Sequence, residues 1–289
     1  MQPLSTCLWF DNNGEEAAKF YTQLFGGNVG AKAVYTEASS KQAGRPVGST
    51  MTVSFEMANL KVLALNGGPL FKFTQAFSFF VSCETEDEIN KLWKALNDGG
   101  STRMGLDKYP WAAKYGWTSD KFGVEWQLIL SPRTQKMAPA FLFTNQLFGK
   151  GQEAVDFYTS IFPNSKIETI AKDPQNGTVM HCAFTLNNQP YVLMEGSGVH
   201  NFTFNEAFSI IVNCDTQKEI DQYWEKLVQG GGSHGPCGWL KDRFGVSWQV
   251  NPTLIEKYAS DPVKMAKAMT VVMKSSKLNI AEIEAAANS

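Results

Sequence analysis

Histidine is scarce in this chain of 289 residues, and its three copies, His181, His200 and His234, all lie in the C-terminal half. A catalytic metal usually needs about three protein ligands, and imidazole is a frequent one. The five cysteines are scattered, and none of them forms a Cys-x-x-Cys pair. This pattern is typical of reduced thiols and argues against a disulfide framework or a zinc site.

Neither sign of charge is in excess, since 26 Lys and Arg residues stand against 28 Asp and Glu residues. A nucleic-acid-binding protein would show a basic patch or stripe, so we expect no nucleic-acid partner. No apolar run approaches the roughly 20 residues of a membrane span, so we expect no membrane partner either. The opening MQPLSTCLWFDNNGEE has no basic segment followed by an apolar one. We therefore expect no signal peptide and a cytoplasmic protein.

Motifs for common cofactors are also missing. No G-x-G-x-x-G opens a helix, and neither a P-loop nor a Ser-His-Asp pattern can be argued from the sequence. We therefore expect no cofactor, which leaves no site for S-adenosylmethionine or a dinucleotide. The hydrophobic fraction of 43% is that of a globular protein.

The chain contains the same domain twice. EEAAKFYTQLF at Glu15 recurs as QEAVDFYTSIF at Gln152, and DKFGVEWQL at Asp120 recurs as DRFGVSWQV at Asp242. The motifs keep their order while the loops change length, as expected for a duplication. SPRTQKMAP is the predicted junction. The duplication predicts three segments: a first domain at 1–131, a second domain at 137–252 and a C-terminal helical tail at 253–289.

Each copy has a predicted order of strand, helix and three strands, followed by the same order again. The first helix has apolar residues at helical spacing from Ala17 to Phe25, and Gly26-Gly27 ends it. The second helix begins with a capping box at Thr85 and Glu88. Short strands with few helices between them predict an α+β fold with mixed or antiparallel sheets.

Several connecting segments are also assigned from local patterns. AKAVYTEA is predicted as a strand, Ala58-Asn59 as a hairpin turn, and the segment with Trp111 and Tyr115 as a long loop. In the tail, Asp261-Pro262 is a helix start, because Pro is favoured at the first helical position. The apolar face of that helix includes Met265 and Met269 and is expected to dock on its own domain, although such a face can also bind a partner.

With these motifs, the chain resembles the PhnB-like family (3-demethylubiquinone-9 3-methyltransferase-like) of the vicinal oxygen chelate superfamily, which has the glyoxalase/bleomycin-resistance fold. The resemblance rests on EEAAKFYTQLFGG, FSFFVSCETEDEINKLWKALNDGG and YPWAAKYGWTSDKFGVEWQL, and on their second-copy counterparts QEAVDFYTSIFPNS and GPCGWLKDRFGVSWQV. It implies tandem glyoxalase-like domains, each made of two βαβββ modules that form a half-open barrel. The pseudo-twofold chain is then an intramolecular pseudo-dimer, and a further homodimer stays open.

Enzymes of this superfamily often hold a divalent metal with His, Gln and Glu ligands from the first strands of the modules and from the closing strand. The closing-strand position falls on Gln127 in the first copy and on Gln249 in the second. No histidine lies in the matching first-strand segments, which are 4–7, 76–78, 138–141 and 207–209. One neutral ligand in each cavity is too few for a catalytic metal, so we expect none.

The same residues have a reading without a metal. Strand alternation places Glu125 and Gln127 on one face, where Gln127 can hydrogen-bond a neutral ligand or satisfy groups inside the barrel. The second copy has Ser247 in place of Glu125, so the two cavities need not act alike. Trp111, Tyr115, Gln249 and Trp239 complete the ligand-binding candidates, although such aromatics can also plug a barrel mouth.

Two residues are candidates for catalysis. Cys237, in GPCGWL, is close in sequence to His234 and Lys241, yet a small packed thiol is the more frequent role of such a residue. His181, on VMHCAFTL, is a candidate base, although a lone histidine on a strand is more often structural.

The sequence therefore favours a protein that binds an unidentified small organic ligand without a catalytic metal, and it leaves open whether the protein is an enzyme. One alternative is a metal-dependent lyase, isomerase or dioxygenase. A second is a methyltransferase, as the family label suggests, and a third is a scaffold whose cavities are filled by its own side chains.

Overall fold

The computed structural model describes residues 4–132, 136–258 and 261–289. The first three residues of the predicted first domain and residues 133–135 of the predicted junction lie outside the described residues. Four modules follow one another along the chain, and each has a strand, a helix and three further strands in that order. The α+β class and the βαβββ modules are therefore confirmed.

The modules have the following bounds. The first consists of β1 (Leu4–Phe10), α1 (Gly14–Phe25), β2 (Gly27–Val34), α2 (Glu37–Ala43), β3 (Thr50–Met57) and β4 (Leu60–Asn66). The second consists of β5 (Phe77–Cys83), α3 (Glu86–Asn97), β6 (Ser101–Tyr109), β7 (Ala112–Ser119) and β8 (Glu125–Leu130). The third consists of β9 (Met137–Phe143), α4 (Gly151–Ile161), β10 (Lys166–Lys172), β11 (Val179–Leu186) and β12 (Gln189–Glu195). The fourth consists of β13 (Phe208–Cys214), α5 (Gln217–Leu227), β14 (Ser233–His234), β15 (Trp239–Lys241) and β16 (Ser247–Pro252).

The modules pair into two eight-stranded sheets, each within one compact unit. Unit 1 runs to Lys72 and resumes at Asn205, and its strand order is β14-β15-β16-β13-β1-β4-β3-β2. Unit 2 is Phe73–Phe204, with the order β10-β11-β12-β9-β5-β8-β7-β6. Each sheet joins one module from each sequence copy through an antiparallel pair of first strands, β1 with β13 or β5 with β9. The consecutive second and third modules thus become neighbours, as consecutive elements usually do.

The repeated phrase forms the same turn in both units. Asp120 accepts hydrogen bonds from the backbone N–H groups of Phe122 and Val124 at 2.8 and 3.0 Å, and its other oxygen accepts from Trp126 Nε1 at 2.8 Å. Asp242 makes the corresponding three bonds in unit 1. The phrase therefore fixes the start of the closing strand, on which each glutamine lies.

Two predicted segments were wrong in detail. The strand predicted as AKAVYTEA ends at Val34, because Thr36 caps the short helix α2 by accepting a bond from the Ser39 N–H. The predicted long loop with Trp111 and Tyr115 is instead the hairpin of β6 and β7. Propensity hid this hairpin because its strands contain Gly and charged residues, which are depleted in strands.

The C-terminal tail forms α6 (Leu254–Lys257), α7 (Pro262–Val272) and α8 (Ile280–Asn288). The predicted start of α7 is confirmed, since the Asp261 side chain accepts bonds from the Val263 and Lys264 N–H groups. Its apolar face packs with Tyr258 and Ile283 in a small core within unit 1. Among the described residues, no helix is both long and apolar enough to cross a membrane.

Candidate functional site

Unit 1 has a broad cavity along one face of its sheet. On β1, Ser5, Cys7 and Trp9 line the cavity, while the alternating Leu4 and Leu8 are fully buried on the opposite face. Each of the eight strands contributes at least one lining residue, and the cavity has a volume of about 1500 Å³. Ligand pockets in proteins are roughly 300–1,000 Å³, so a small organic molecule would fit.

A neutral polar group of side chains lies in the middle of this cavity. Gln249 Nε2 donates to Ser209 Oγ at 2.9 Å, and Gln249 Oε1 accepts a longer bond of 3.4 Å from Asn251 Nδ2. The Cys7 thiol contacts both Gln249 and Ser209, and burial raises its pKa to about 11. The thiol therefore stays protonated at neutral pH, and the group carries no charge.

Ser247 adds a buried hydroxyl to the cavity wall. The residue is 1% exposed and lines the cavity, and its Oγ makes no hydrogen bond within the described part of the chain. A buried polar atom left unsatisfied costs about 1–3 kcal/mol. A ligand that hydrogen-bonds this hydroxyl would recover that cost.

The corresponding interior of unit 2 is packed with its own side chains. Phe80, Tyr115, Ala138, Ala140 and Val192 form a buried cluster there. Partly buried apolar side chains complete it: Met104, Tyr109, Ala112, Trp117, Ile129 and Met194. The space that is a cavity in unit 1 is thus a hydrophobic core in unit 2.

Gln127 is enclosed in that core with both ends of its amide engaged. The Tyr115 hydroxyl donates to Gln127 Oε1 at 2.6 Å, and Gln127 Nε2 donates to Ser78 Oγ at 2.8 Å. Burial raises the pKa of Tyr115, so the phenol remains a donor. Gln127 therefore satisfies interior groups, which was one of its two predicted roles.

Glu125 lies beside it in a buried ion pair. Arg103 Nη2 donates to Glu125 Oε1 at 2.8 Å, and Trp117 Nε1 donates to Oε2 at 2.9 Å. Burial raises the pKa of Glu125, and the bonds from Arg103 and Trp117 partly offset that rise. In unit 1 the corresponding position is Ser247, a buried serine that lines the cavity.

The remaining ligand-binding candidates fall in different places. Trp239 and Gln249 line the cavity of unit 1, whereas Trp111 lies at the hairpin turn of unit 2, where it is 62% exposed and stacks on Tyr109 at 5.1 Å. Tyr115 and Glu125 are buried, as described above. Of the six predicted residues, Trp239 and Gln249 therefore line the cavity of unit 1, three are buried in unit 2, and Trp111 lies at the surface of unit 2.

The two catalytic candidates lie in different units, Cys237 in unit 1 and His181 in unit 2. Cys237 Sγ lies 3.9 Å from Met273 Sδ, and burial raises the pKa of the thiol. His234 stacks on Trp224 at 4.4 Å, and Lys241 pairs with a glutamate at 2.9 Å, so both engage other groups. His181 lies on β11 in unit 2, with its ring 5.5 Å from that of Phe80.

The residues do not fit the divalent-metal site that the superfamily implies. In unit 1, Cys7 pairs with Ser209 across the first strands, beside Gln249. In unit 2, Ala140 pairs with Ser78, beside Gln127. Within the described ranges, no three His, Cys, Asp or Glu side chains are grouped to hold an ion. Such neutral donors bind hard cations poorly, because they bring no negative charge.

Several cavity residues were not predicted from the sequence. Trp9, Cys7 and Arg45 line the cavity, together with Met265 and Met269 of α7. Strand alternation puts Trp9 and Cys7 on the same face of β1. The sequence would therefore have predicted both as cavity residues if either had been assigned to the cavity. No sequence pattern indicated Arg45, because this residue follows α2, a helix that was not predicted.

Comparison with known proteins places the chain in a family. The family described as 3-demethylubiquinone-9 3-methyltransferase matches residues 2–129 and again residues 135–251. A putative 3-demethylubiquinone-9 3-methyltransferase, PhnB protein, from Bacillus cereus is 34% identical over 44% of this chain and 98% of its own, with a TM-score of 0.40. Protein PA1353 from Pseudomonas aeruginosa is 25% identical over 43% of this chain and 94% of its own, with a TM-score of 0.36.

A third relative matches most of the chain at once. Glyoxalase I from Zea mays is 14% identical over 85% of this chain and 92% of its own, with a TM-score of 0.56, which indicates a shared fold. No curated protein matches the sequence closely enough to add to these comparisons. Because the family matches twice and spans almost the whole chain, the protein belongs to the 3-demethylubiquinone-9 3-methyltransferase (PhnB-like) family, with two copies of its domain and a glyoxalase fold.

Proposed function

We propose that the protein binds a small organic molecule in the cavity of unit 1, without a catalytic metal, and that unit 2 is a scaffold filled by its own side chains. The observation that carries the proposal is the buried Ser247 hydroxyl, which has no partner within the described residues and borders a cavity of about 1500 Å³. Folding leaves this atom unsatisfied at a cost, which a bound ligand removes.

The lining of the cavity supports the same conclusion. Aromatic and sulfur-containing side chains line the cavity together with polar and charged ones, so the cavity can offer both apolar contacts and hydrogen bonds to a small molecule. Trp9 and Trp239 supply broad apolar faces, while Gln249 and Ser247 supply hydrogen bonds that fix orientation. In unit 2 the corresponding glutamine is already satisfied by Tyr115 and Ser78.

The test uses Nile red, a neutral apolar dye, and the full chain. We expect dye fluorescence to rise with one site per chain, and Trp239→Ala to weaken binding by about tenfold or more, because an aromatic wall is lost. Trp111→Ala is the matched control in unit 2, and it should leave binding unchanged. Native mass spectrometry of protein purified without chelators should show either a retained organic molecule or, if none is retained, a one-to-one complex with added dye.

Three results would overturn the proposal. Loss of dye binding in Trp111→Ala, with Trp239→Ala unaffected, would place the site in unit 2. Failure of the wild-type protein to bind the dye, with no organic molecule retained, would favour a scaffold in both units. Near-stoichiometric Mn, Fe, Ni or Zn in protein purified without chelators would overturn the metal-free part.

A further inference from the structure

A two-glycine turn brings a tryptophan and an arginine together at one side of the cavity in unit 1. Trp9 Nε1 donates to the carbonyl oxygen of Gly68 at 2.8 Å, and a Cβ added to Gly67 would lie 2.2 Å from the Trp9 ring. A Cβ added to Gly68 would lie 3.9 Å from Arg45 Nη1. The indole and the guanidinium therefore flank the same turn, and both line the cavity.

The Trp9 indole is part of an aromatic group within the cavity. Its ring lies 5.1 Å from Phe71 and 6.4 Å from Trp239, with interplanar angles of 82° and 74°. All three side chains line the cavity and are only half-buried, so ring faces remain accessible to a ligand. Aromatic pairs favour edge-to-face and offset-stacked contacts, so this group suits a flat apolar ring system.

Arg45 has hydrogen-bonding capacity to spare. Among the described residues, its one ion pair is a 3.3 Å contact from Nη1 to the half-exposed Asp11, and its buried Nε has no partner. Three lysines also line the cavity. Lys32 pairs with Glu15 at 2.6 Å, Lys241 pairs with a glutamate at 2.9 Å, and Lys61 lies opposite Glu56 in the register of β3 and β4. A guanidinium has five N–H donors, and its fork matches a carboxylate.

Carboxylates elsewhere on the lining limit the charge of the ligand. Glu206 is engaged by Lys241, while Glu56 and Glu256 also line the cavity. These groups would oppose a ligand with several negative charges, because like charges repel strongly where water is partly excluded. One anionic group placed at Arg45 fits this balance best.

We propose that the natural ligand is a flat aromatic or polycyclic molecule with a single carboxylate or similar anionic group. Its rings lie among Trp9, Phe71 and Trp239, and its anion is held by Arg45. This inference rests on the proposed function, because it names the ligand class of the same cavity. The adjacent Gly67-Gly68 turn is what allows the ring site and the anion site to lie next to each other.

The test compares 1-naphthoate with its neutral counterpart 1-naphthamide by isothermal titration at about 0.15 M salt. We expect the wild-type protein to bind the carboxylate about ten- to a hundredfold more tightly, since charge-assisted hydrogen bonds are roughly twice as strong as neutral ones. Arg45→Gln should abolish that preference while leaving naphthamide binding unchanged. Arg45→Lys should retain part of it, because the charge remains and the fork is lost.

Two further variants act as controls within the same unit. Lys32→Gln removes a cation that is already paired, and it should preserve the preference for the carboxylate. Asp11→Asn removes the carboxylate that competes with the ligand for Arg45. It should strengthen naphthoate binding about twofold or more at this partly exposed site. Circular dichroism of each variant checks that the fold is kept.

Each outcome decides between specific statements. Equal binding of naphthoate and naphthamide, with Nile red still bound, would overturn the anionic class and leave the cavity as a binding site. A preference for naphthoate that survives in Arg45→Gln would place the anion elsewhere and overturn the role of Arg45. Failure of all three probes to bind would overturn the proposed function as well.

Discussion

Tyr115 in unit 2 and Cys237 in unit 1 lie at matching places, two residues before the tryptophan that pairs with the closing-strand glutamine. The Tyr115 phenol reaches Gln127 and fills the interior, whereas Cys237 precedes β15 with a φ of 59° and its thiol contacts Met273 at the cavity wall. One side chain therefore contributes to whether the amide is internal structure or a wall of a cavity. The same strand order can support either outcome.

The hairpin next to the closing strand also fills the interior in unit 2 and leaves it open in unit 1. In unit 2 its strands have nine and eight residues, and they supply Tyr109, Met104 and Trp117 to the core. In unit 1 the corresponding strands have two and three residues, and methionines of α7 line the cavity there instead. Edge strands, which tolerate length changes, have thus diversified while the central strands kept their arrangement.

The largest effect is expected where unit 2 buries a charge that unit 1 lacks. Arg103→Met leaves Glu125 buried without its cation, and it should lower the free energy of unfolding by about 2–3 kcal/mol. This loss of stability is smaller than is usual when a fully buried ion pair is broken, because Arg103 is 35% exposed. Urea-induced unfolding, followed by fluorescence and circular dichroism, measures the change.

The control places the serine of unit 1 into unit 2. Arg103→Met combined with Glu125→Ser removes both charges, and it should recover most of the lost stability. The result would contradict the comparison if the double variant were as unstable as Arg103→Met alone. The loss would then come from packing of the arginine stem and not from the uncompensated carboxylate.

A smaller effect is expected from a matched pair of glycines. A Cβ on Gly67 would lie 2.2 Å from the Trp9 ring, whereas a Cβ on Gly196, at the corresponding turn of unit 2, would come no closer than 3.3 Å to Thr144. Gly67→Ala should therefore cost about 1–2 kcal/mol and weaken Nile red binding, because the indole must move. Gly196→Ala should change stability by less than about 1 kcal/mol and leave dye binding intact. Equal effects would show that Trp9 is not fixed by this turn.

Much of the frame could be predicted because its signals are local. The helix caps at Thr85 and Asp261 and the turn at Ala58-Asn59 depend on nearby residues, and the structure has them. The hairpin around Trp111 was missed because its strands have register irregularities, which disturb the alternation of apolar and polar residues that normally indicates a strand. Pairing of modules across the copies is non-local, so no short pattern indicated it.

The candidate site was harder to predict for the same reason. Sequence alignment of the copies identified Gln127 and Gln249 as equivalent, but their surroundings differ through Tyr115 and the length of a hairpin. The exchange of Glu125 for Ser247 was visible in the sequence. The structure shows that this serine lies on a cavity wall and that its hydroxyl has no partner among the described residues, which depends on the strands that surround it.

A pH-dependent difference is expected from the same exchange. Burial raises the pKa of Glu125 in the folded protein, so the folded state retains this proton to a higher pH than the unfolded state. The resulting stabilisation is complete below the unfolded pKa of about 4.3 and is lost as pH rises through the folded value. Glu125→Gln should remove this component. Urea midpoints at pH 4, 5, 6 and 7 should show a smaller fall for the variant than for the wild type, and parallel curves would contradict the assignment.

The smallest effect concerns thiol reactivity and needs no change in stability. Cys237 is half-buried at the cavity wall, whereas Cys7 is 1% exposed with a pKa of about 11. Cys182 of unit 2 is fully buried with a pKa of about 11. Because the thiolate is the reactive form and needs access, iodoacetamide at pH 8 should modify Cys237 first.

Peptide mass spectrometry over a time course gives the rate at each cysteine. A bound naphthoate should slow modification of Cys237 and leave Cys182 unchanged, because Cys237 lines the cavity of unit 1 and Cys182 lies in unit 2. Modification of Cys182 as fast as Cys237 would mean that the interior of unit 2 opens on the timescale of the reaction. Reactivity would then follow the population of molecules in which unit 2 is transiently open. The difference between an open unit 1 and a filled unit 2 would hold for the average structure only, and both interiors would be accessible to the reagent.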